Sequence, residues 1–228
     1  MAEIVLLRHF MTQGNLEGRY IGSRTDEPLC REGIRLFESR RYPAVDCIYA
    51  SPMRRCVETA QVIWGSMAKT VQSKGEYDTE TELLMCGCST EAVPFITLIP
   101  EFRECDFGDF ENKNYQELNG DLSYQAWIDS GGTLPFPGGE SMEAFRNRCQ
   151  AGFVRLVRET EELERRLFSR GKHTFRVALV VHGGTIMAIL ERFKKKKKGY
   201  FDYQVKNGCG YILTPVEGTD LWNYQCLP

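Results

Sequence analysis

The sequence lacks a strong net charge, a long apolar run and a good supply of histidine. Its 29 Lys and Arg nearly balance 31 Asp and Glu, and the net charge of −2 argues against a nucleic-acid-binding protein. No apolar run approaches the roughly 20 residues that a membrane span needs. The N-terminus has no signal-peptide pattern. We therefore expect a cytoplasmic protein with no nucleic-acid or membrane partner.

Several motifs of common enzyme classes are also missing. A Gly-x-Ser-x-Gly elbow, a dinucleotide-binding loop and a nucleoside-triphosphate loop are all absent. The nine cysteines are scattered and odd in number, which favours reduced thiols. Cys86 and Cys88 form one close pair, but no second Cys/His pair has metal-ligand spacing. The lysine run 194–198 is read as a solvated helix end or loop, in preference to a patch for an anionic partner.

Apolar runs with strand character alternate with segments that have helical periodicity. Strands are predicted at 4–7, 46–50, 177–181 and 210–214, with weaker ones at 97–99 and 221–226, and helices at 54–64, 141–168 and 186–193. This alternation predicts an α/β fold, a three-layer sandwich whose mostly parallel central sheet has helices on both faces. One domain is expected over residues 1–228, with a surface insertion at 66–95 and a covering loop region at 112–139.

Two of the three histidines stand at the ends of predicted strands. His9 comes after strand 4–7, and His182 comes after strand 177–181 and opens a Gly183-Gly184 turn into a helix. Ligands of open α/β sheets bind beyond the carboxyl ends of the strands, so both histidines can share a pocket. Arg8 adds a charge suited to phosphate, and a helix start favours an anion. We expect an oxyanion pocket; the alternative is that each histidine is only structural. His173 is read as a surface-loop residue.

Several blocks of the sequence resemble the histidine phosphatase (phosphoglycerate mutase-like) superfamily. Leu7-Arg8-His9 with Asn15 is similar to its first block, and Ser51–Ala60 to its second. Three more blocks follow in family order: Phe102–Glu111, Pro137–Ser141 and Val181–Gly184. The resemblance covers residues 3 to about 214. It leans toward the compact bacterial phosphatases, among them alpha-ribazole phosphatase, because segment 112–139 is short.

The resemblance implies a phosphohistidine mechanism that needs no metal and no cofactor. His9 would attack phosphorus, and Glu104 would act as general acid and then as base. The remaining roles are catalytic assistance by His182, phosphate binding by Arg8, Asn15, Arg55 and Gly183, and a substrate pocket at Phe10, Ile21 and Gly22.

Phe10 departs from the family pattern, which has glycine after the nucleophile. It is either a tolerated substitution or a sign of a reshaped site; because the phosphate-binding residues are retained, we expect activity. We predict a phosphomonoesterase acting on a small phosphorylated metabolite, with alpha-ribazole phosphate as a candidate. The alternatives are a cofactor-dependent phosphoglycerate mutase and a non-catalytic phosphate-ligand binding protein. The chain is expected to be a monomer or a homodimer.

Overall fold

A computed structural model describes residues 2–38, 40–65, 70–72, 96–168, 175–195 and 199–227. These residues form a seven-stranded sheet in the order β3-β4-β2-β5-β1-β6-β7. The strands are β1 Glu3–Arg8, β2 Cys47–Ala50, β3 Thr70–Gln72, β4 Ile96–Leu98, β5 Arg176–Val181, β6 Gly210–Pro215 and β7 Trp222–Cys226.

The sheet is mostly parallel. Strands β1, β5, β2, β4 and β3 run parallel to one another, and β6 and β7 add an antiparallel edge beside β1. Strands β1 and β5 lie in the middle of the sheet, and their central residues are fully buried. Both strands are apolar at successive positions, as strands covered on both faces must be. The predicted mostly parallel α/β fold is confirmed.

Helices cover both faces of the sheet. Their bounds are α1 Gln13–Leu16, α2 Arg31–Glu38, α3 Arg54–Trp64, α4 Leu122–Asp129, α5 Met142–Phe168 and α6 Gly183–Phe193. Alternate residues of β5 enter opposite cores: Val177 and Leu179 pack in the cluster that includes residues of α5 and α6, whereas Ala178 and Val180 pack in the cluster that includes residues of α3. This alternation produces the predicted three layers.

The covering segment 112–139, called the cap below, contains a helix that periodicity does not predict. Asp121 begins α4 as its N-cap, accepting hydrogen bonds from the backbone of Ser123 and Tyr124. Cap residues Leu118 and Phe136 join Phe110 and Phe145 in a third apolar cluster. The cap is therefore packed against the body of the fold.

Some predictions fall on segments that the structure describes only in part. Of the predicted insertion 66–95, residues 70–72 form edge strand β3 and the rest lies outside the described residues, as do Cys86, Cys88 and His173. The single-domain prediction remains a prediction.

The first lysine of the run 194–198 is not solvated, although a solvated helix end or loop was predicted for the run. Lys194 is buried, donates a hydrogen bond to the Tyr224 hydroxyl at 2.8 Å and lies 4.0 Å from the centroid of that ring. A cation over an aromatic face gains electrostatic attraction, which lets this one lysine leave water. Residues 196–198 lie outside the described residues.

Within the ranges described, no helix is both long and apolar enough to cross a membrane.

Candidate active site

The two strand-end histidines come together because their strands are neighbours. β1 pairs with β5, and the backbone N–H of His9 donates to the carbonyl of Val181 at 2.9 Å, one residue before His182. The two imidazole rings have centroids 5.2 Å apart and planes inclined by 66°. Both side chains are buried. The sequence prediction that they share one site is consistent with this placement.

His9 presents one specific ring nitrogen to the pocket. Its Nδ1 lies 2.6 Å from the carbonyl oxygen of Phe10, which can only accept, so Nδ1 carries the proton and Nε2 carries the lone pair. Burial, followed by the charges of Arg55 and Arg8, lowers the pKa of His9 well below its ordinary value. The ring is therefore neutral near pH 7. A neutral imidazole with a free Nε2 is the form that a nucleophile requires.

Two arginines supply positive charge at the site. Arg55 is 1% exposed, and its terminal nitrogens donate to the backbone carbonyls of Thr25, Ile21 and Gly22. A terminal nitrogen of Arg8 donates to the carbonyl of Val205 at 2.7 Å. The Nε atoms of both arginines are buried and have no hydrogen-bond partner among the residues described. A buried donor left unpaired is costly, so an anion that reached either N–H group would be stabilised by it.

Glu104 is a buried carboxyl group in the same site. Burial raises its pKa above the ordinary glutamate value, against the opposing charge of Arg55 and the hydrogen bond from the Cys105 N–H. One carboxyl oxygen lies 3.7 Å from Nδ1 of His182. A carboxyl group whose pKa is raised keeps its proton toward neutral pH and can donate it to a leaving group.

His182 is uncharged as well, for the same reasons as His9. It is fully buried, and burial and the charge of Arg55 lower its pKa well below the ordinary value. Its Nε2 lies 2.8 Å from the hydroxyl of Ser51. A neutral His182 can orient neighbouring groups through hydrogen bonds, but it adds no full positive charge to the site.

Asn15 and Gly183 complete the set of predicted phosphate-binding residues. The amide oxygen of Asn15 accepts from Asn207 Nδ2 at 3.1 Å and from the Thr12 N–H at 3.3 Å, so its NH₂ group remains available to a ligand. Gly183 begins α6, whose first N–H groups have no intrahelical partner. Both residues line the same cavity as His9.

The cavity has a volume of about 430 Å³ and one strongly aromatic wall. Six of the predicted site residues line it: Arg8, His9, Asn15, Ile21, Glu104 and Gly183. The aromatic lining residues are Tyr20, Phe107, Trp127, Phe136, Phe145, Tyr200 and Phe201. Arg55 and His182 lie behind this surface, buried to within 1% of their area.

Two residues predicted for the substrate pocket lie elsewhere. Phe10 is 1% exposed, its ring lies 6.0 Å from the Tyr42 ring, and its backbone N–H donates to the Thr59 hydroxyl. The Phe10 side chain therefore packs beside Tyr42 and is not among the residues that line the cavity, contrary to the predicted pocket position.

Gly22, which was predicted for the substrate pocket, instead holds neighbouring residues of the site. Its N–H donates to Glu111, its carbonyl accepts from Arg55, and an added Cβ would lie 2.4 Å from the Cys105 carbonyl. It supports Arg55 from outside the cavity, and glycine is needed for this close approach.

Other residues of the site were not found from the sequence. Asn207 bonds both Asn15 and the His9 carbonyl, but it stands in a loop with no recognisable motif. Trp127 and Phe136 lie within the predicted covering segment 112–139, but neither is predicted individually as a site residue. An aromatic pair separated by nine positions gives no periodic signal, so only the folded cap shows that both face the site.

Comparison with known proteins supports the family resemblance and the fold. The profile of the Histidine phosphatase superfamily (branch 1) matches residues 4–76 and 90–224. The chain is 23% identical to Adenosylcobalamin/alpha-ribazole phosphatase of Escherichia coli over 90% of its length and 85% of that protein. It is 26% identical to Phosphoglycerate mutase-like protein 4 of Arabidopsis thaliana, over 84% and 70%. The crystal structure of the alpha-ribazole phosphatase from Shigella flexneri superimposes with a TM-score of 0.69 at 21% identity, covering 99% and 95% of the two chains.

Proposed function

Because the chain belongs to the histidine phosphatase superfamily and is a phosphoric monoester hydrolase, we propose that it works through a phosphohistidine at His9. The observation that carries this proposal is the free Nε2 of a neutral, buried His9 beside two arginine N–H groups that have no partner in the described structure. The nucleophile and the charges that would hold a phosphoryl group are thus preassembled.

The reaction then proceeds in two displacements. In the first, His9 Nε2 forms a bond to phosphorus, the ester P–O bond breaks, and the leaving oxygen takes the proton of Glu104. In the second, water attacks phosphorus, its proton passes to the Glu104 carboxylate, and phosphate leaves with the P–N electrons returned to His9. Arg8 and Arg55 stabilise the phosphoryl charge in both steps.

The residues that line the cavity favour a particular kind of alcohol group in the phosphate ester. Seven aromatic side chains line it, and the Trp127 and Phe136 rings stack with centroids 5.0 Å apart. Among the described lining residues, Arg19 is the one cation besides Arg8, and it is already paired with Glu17 and Glu117. The wall favours a flat apolar ring over a second carboxylate. We propose a phosphomonoester whose alcohol carries an aromatic ring, with alpha-ribazole phosphate as the first candidate.

The experiment compares two phosphate esters, one with and one without an aromatic ring on the alcohol. We expect kcat/KM for phosphate release to be higher for alpha-ribazole 5′-phosphate than for ribose 5-phosphate, which presents a similar primary ester without the ring. Equal values would contradict the aromatic specificity. Faster isomerisation than hydrolysis of 3-phosphoglycerate would instead identify a mutase.

A trapping experiment tests the chemistry separately from the substrate. Rapid quenching during turnover of an activated aryl phosphate should yield an acid-labile phosphoryl group on His9. The matched control, His9→Asn, keeps a side-chain N–H able to reach the Phe10 carbonyl and should trap none. Ligand binding without any phosphoryl transfer would show a non-catalytic binding protein.

A further inference from the structure

We propose that Arg148 is a positioning residue that holds Glu104 in the orientation needed for proton transfer. The proposal rests on the general-acid role given to Glu104 above. Arg148 lies on α5, ahead of the helix residues that pack in the main core, and it does not line the cavity that contains His9. It therefore touches no substrate and acts only through its neighbours.

The guanidinium group of Arg148 holds the backbone of the segment that ends in Glu104. One terminal nitrogen donates to the carbonyls of Glu101 at 2.8 Å and Arg103 at 2.5 Å. The other donates to the carbonyl of Glu104 itself at 3.0 Å. Three carbonyls within four residues thus converge on one rigid, planar group, which fixes the direction in which the Glu104 side chain leaves the backbone.

Glu140 fixes the guanidinium in turn. Its two carboxylate oxygens accept from Arg148 Nε at 2.7 Å and from a terminal nitrogen at 2.8 Å. With the three carbonyl contacts, these bonds use all of the roughly five N–H donors of an arginine. A lysine at this position has about three donors and no planar fork, so it could keep the charge but not the arrangement.

The Glu104 segment has room to move if Arg148 is lost. A second cavity, of about 400 Å³, is lined by Glu104, Arg103, Arg148 and Glu140. Glu104 thus borders both cavities although its carboxyl group is buried, and the hydrogen bond from Arg148 to its carbonyl restricts movement of the segment toward either one. Displacing an acid by about 1 Å can cost on the order of 10²-fold in rate.

The test is Arg148→Lys, measured with an alkyl phosphate and with an activated aryl phosphate. The alkyl ester needs a proton on its leaving oxygen and the aryl ester does not. We therefore expect kcat/KM, which reports the first displacement, to fall by about 10-fold or more further for the alkyl ester than for the aryl ester. A purely structural role would reduce both rates together, and equal losses, or none, would overturn the proposal.

A matched control and a second variant keep the result interpretable. Arg155→Lys makes the same change on the same helix, at an arginine that pairs with the side chains of Glu101 and Glu159 and not with the carbonyl of Glu104, and the ratio of the two rates should stay unchanged. If Arg148→Lys does not fold, Glu140→Gln weakens the same clamp and should move the ratio in the same direction. Absence of any phosphoenzyme in the unmodified protein would contradict the proposed function instead, which separates the two failures.

Discussion

Two residues of the site, His9 and Glu104, have pKa values shifted in opposite directions, and each shift favours the uncharged form. Burial and two arginines lower the pKa of His9, while burial raises the pKa of Glu104 in spite of the same arginines. Desolvation disfavours the charged form of each group, so the nucleophile is neutral and the acid is protonated at the same pH. Such a pair of opposite shifts supports the proposed roles of His9 as nucleophile and Glu104 as acid.

The first prediction concerns the pH dependence of kcat/KM for an alkyl phosphate. Activity should fall on the acidic side where His9 takes up a proton, at a pH below the usual histidine range. It should fall on the basic side where Glu104 loses its proton, at a pH above the usual glutamate range. Steady-state rates measured across the pH range give both limbs of the profile, after correction for ionisation of the substrate phosphate, whose pKa is about 6. An acidic midpoint at or above the ordinary histidine value would contradict the assignment.

The second prediction concerns Glu104→Gln, which keeps the shape of the side chain but has no proton to give. Hydrolysis of alkyl phosphates should slow on the order of 10²–10⁴-fold, the usual value of general acid catalysis. The first step with an activated aryl phosphate should slow much less, and the phosphoenzyme should then accumulate as a burst. The exposed Asp109 lies in the same sequence block, and Asp109→Asn should leave both rates unchanged. Equal first-step losses with the two esters would show that Glu104 only binds or positions.

The sequence predicted the residues that stand at strand ends better than those that stand in loops. His9 and His182 follow apolar strands, and adjacent parallel strands place their ends side by side. Asn207 and Arg148 also hold residues of the site by hydrogen bonds, yet a loop asparagine and one arginine of a charged helix give no pattern to read. Phe10 was misplaced because sequence order puts it beside His9, whereas its backbone turns the side chain toward Tyr42.

At the scale of elements, the long helices and buried strands were predictable and the cap helix was not. Strand 177–181 and helix 54–64 have strong apolar patterns, and the structure reproduces both. Helix α4 has no fully buried residue, and its Leu122 is 86% exposed, so no apolar stripe marks it. It depends on the Asp121 N-cap and on aromatic contacts with distant residues, which local periodicity cannot show.

The third prediction tests whether the cap selects the substrate. Trp127→Leu should lower kcat/KM for alpha-ribazole 5′-phosphate by about 2–10-fold, the value of one aromatic contact of about 0.5–1.5 kcal/mol. The same variant should leave kcat/KM for ribose 5-phosphate unchanged, since that ester has no ring to stack. Tyr115→Leu alters a cap residue that is 65% exposed and does not line the cavity, and it serves as the control. Equal losses for the two esters would contradict a selective wall.

At the scale of the whole molecule, the site is assembled from segments that lie far apart in the chain. Arg8, Arg55, Glu104 and His182 come from four separate blocks, and each is buried or largely buried where it meets the others. Burying so many ionisable groups makes folding depend on pH. The stability of the fold and the chemistry of the site are therefore linked through the same pKa values.

The last prediction follows from that linkage. The pKa of His9 is lower in the folded protein than in the unfolded chain, so below the ordinary histidine value of 6.5 the unfolded chain binds a proton that the folded protein does not. The free energy of unfolding should therefore decrease as pH falls from 7.5 toward 5.5 or so. Glu104, with its raised pKa, acts in the opposite direction, since the folded protein then holds the extra proton.

His9→Asn isolates the histidine contribution, because the effect of Glu104 is common to both proteins and cancels in the difference. The variant should lose less stability than the unmodified protein over the same pH interval. Urea unfolding at both pH values, with equal m values as the condition for comparison, measures the difference. His182 continues to titrate in both proteins and should leave a residual slope in the variant. Identical slopes would mean that the pKa of His9 is the same in the folded protein and in the unfolded chain, which would contradict the lowered pKa on which its proposed role as a neutral nucleophile rests.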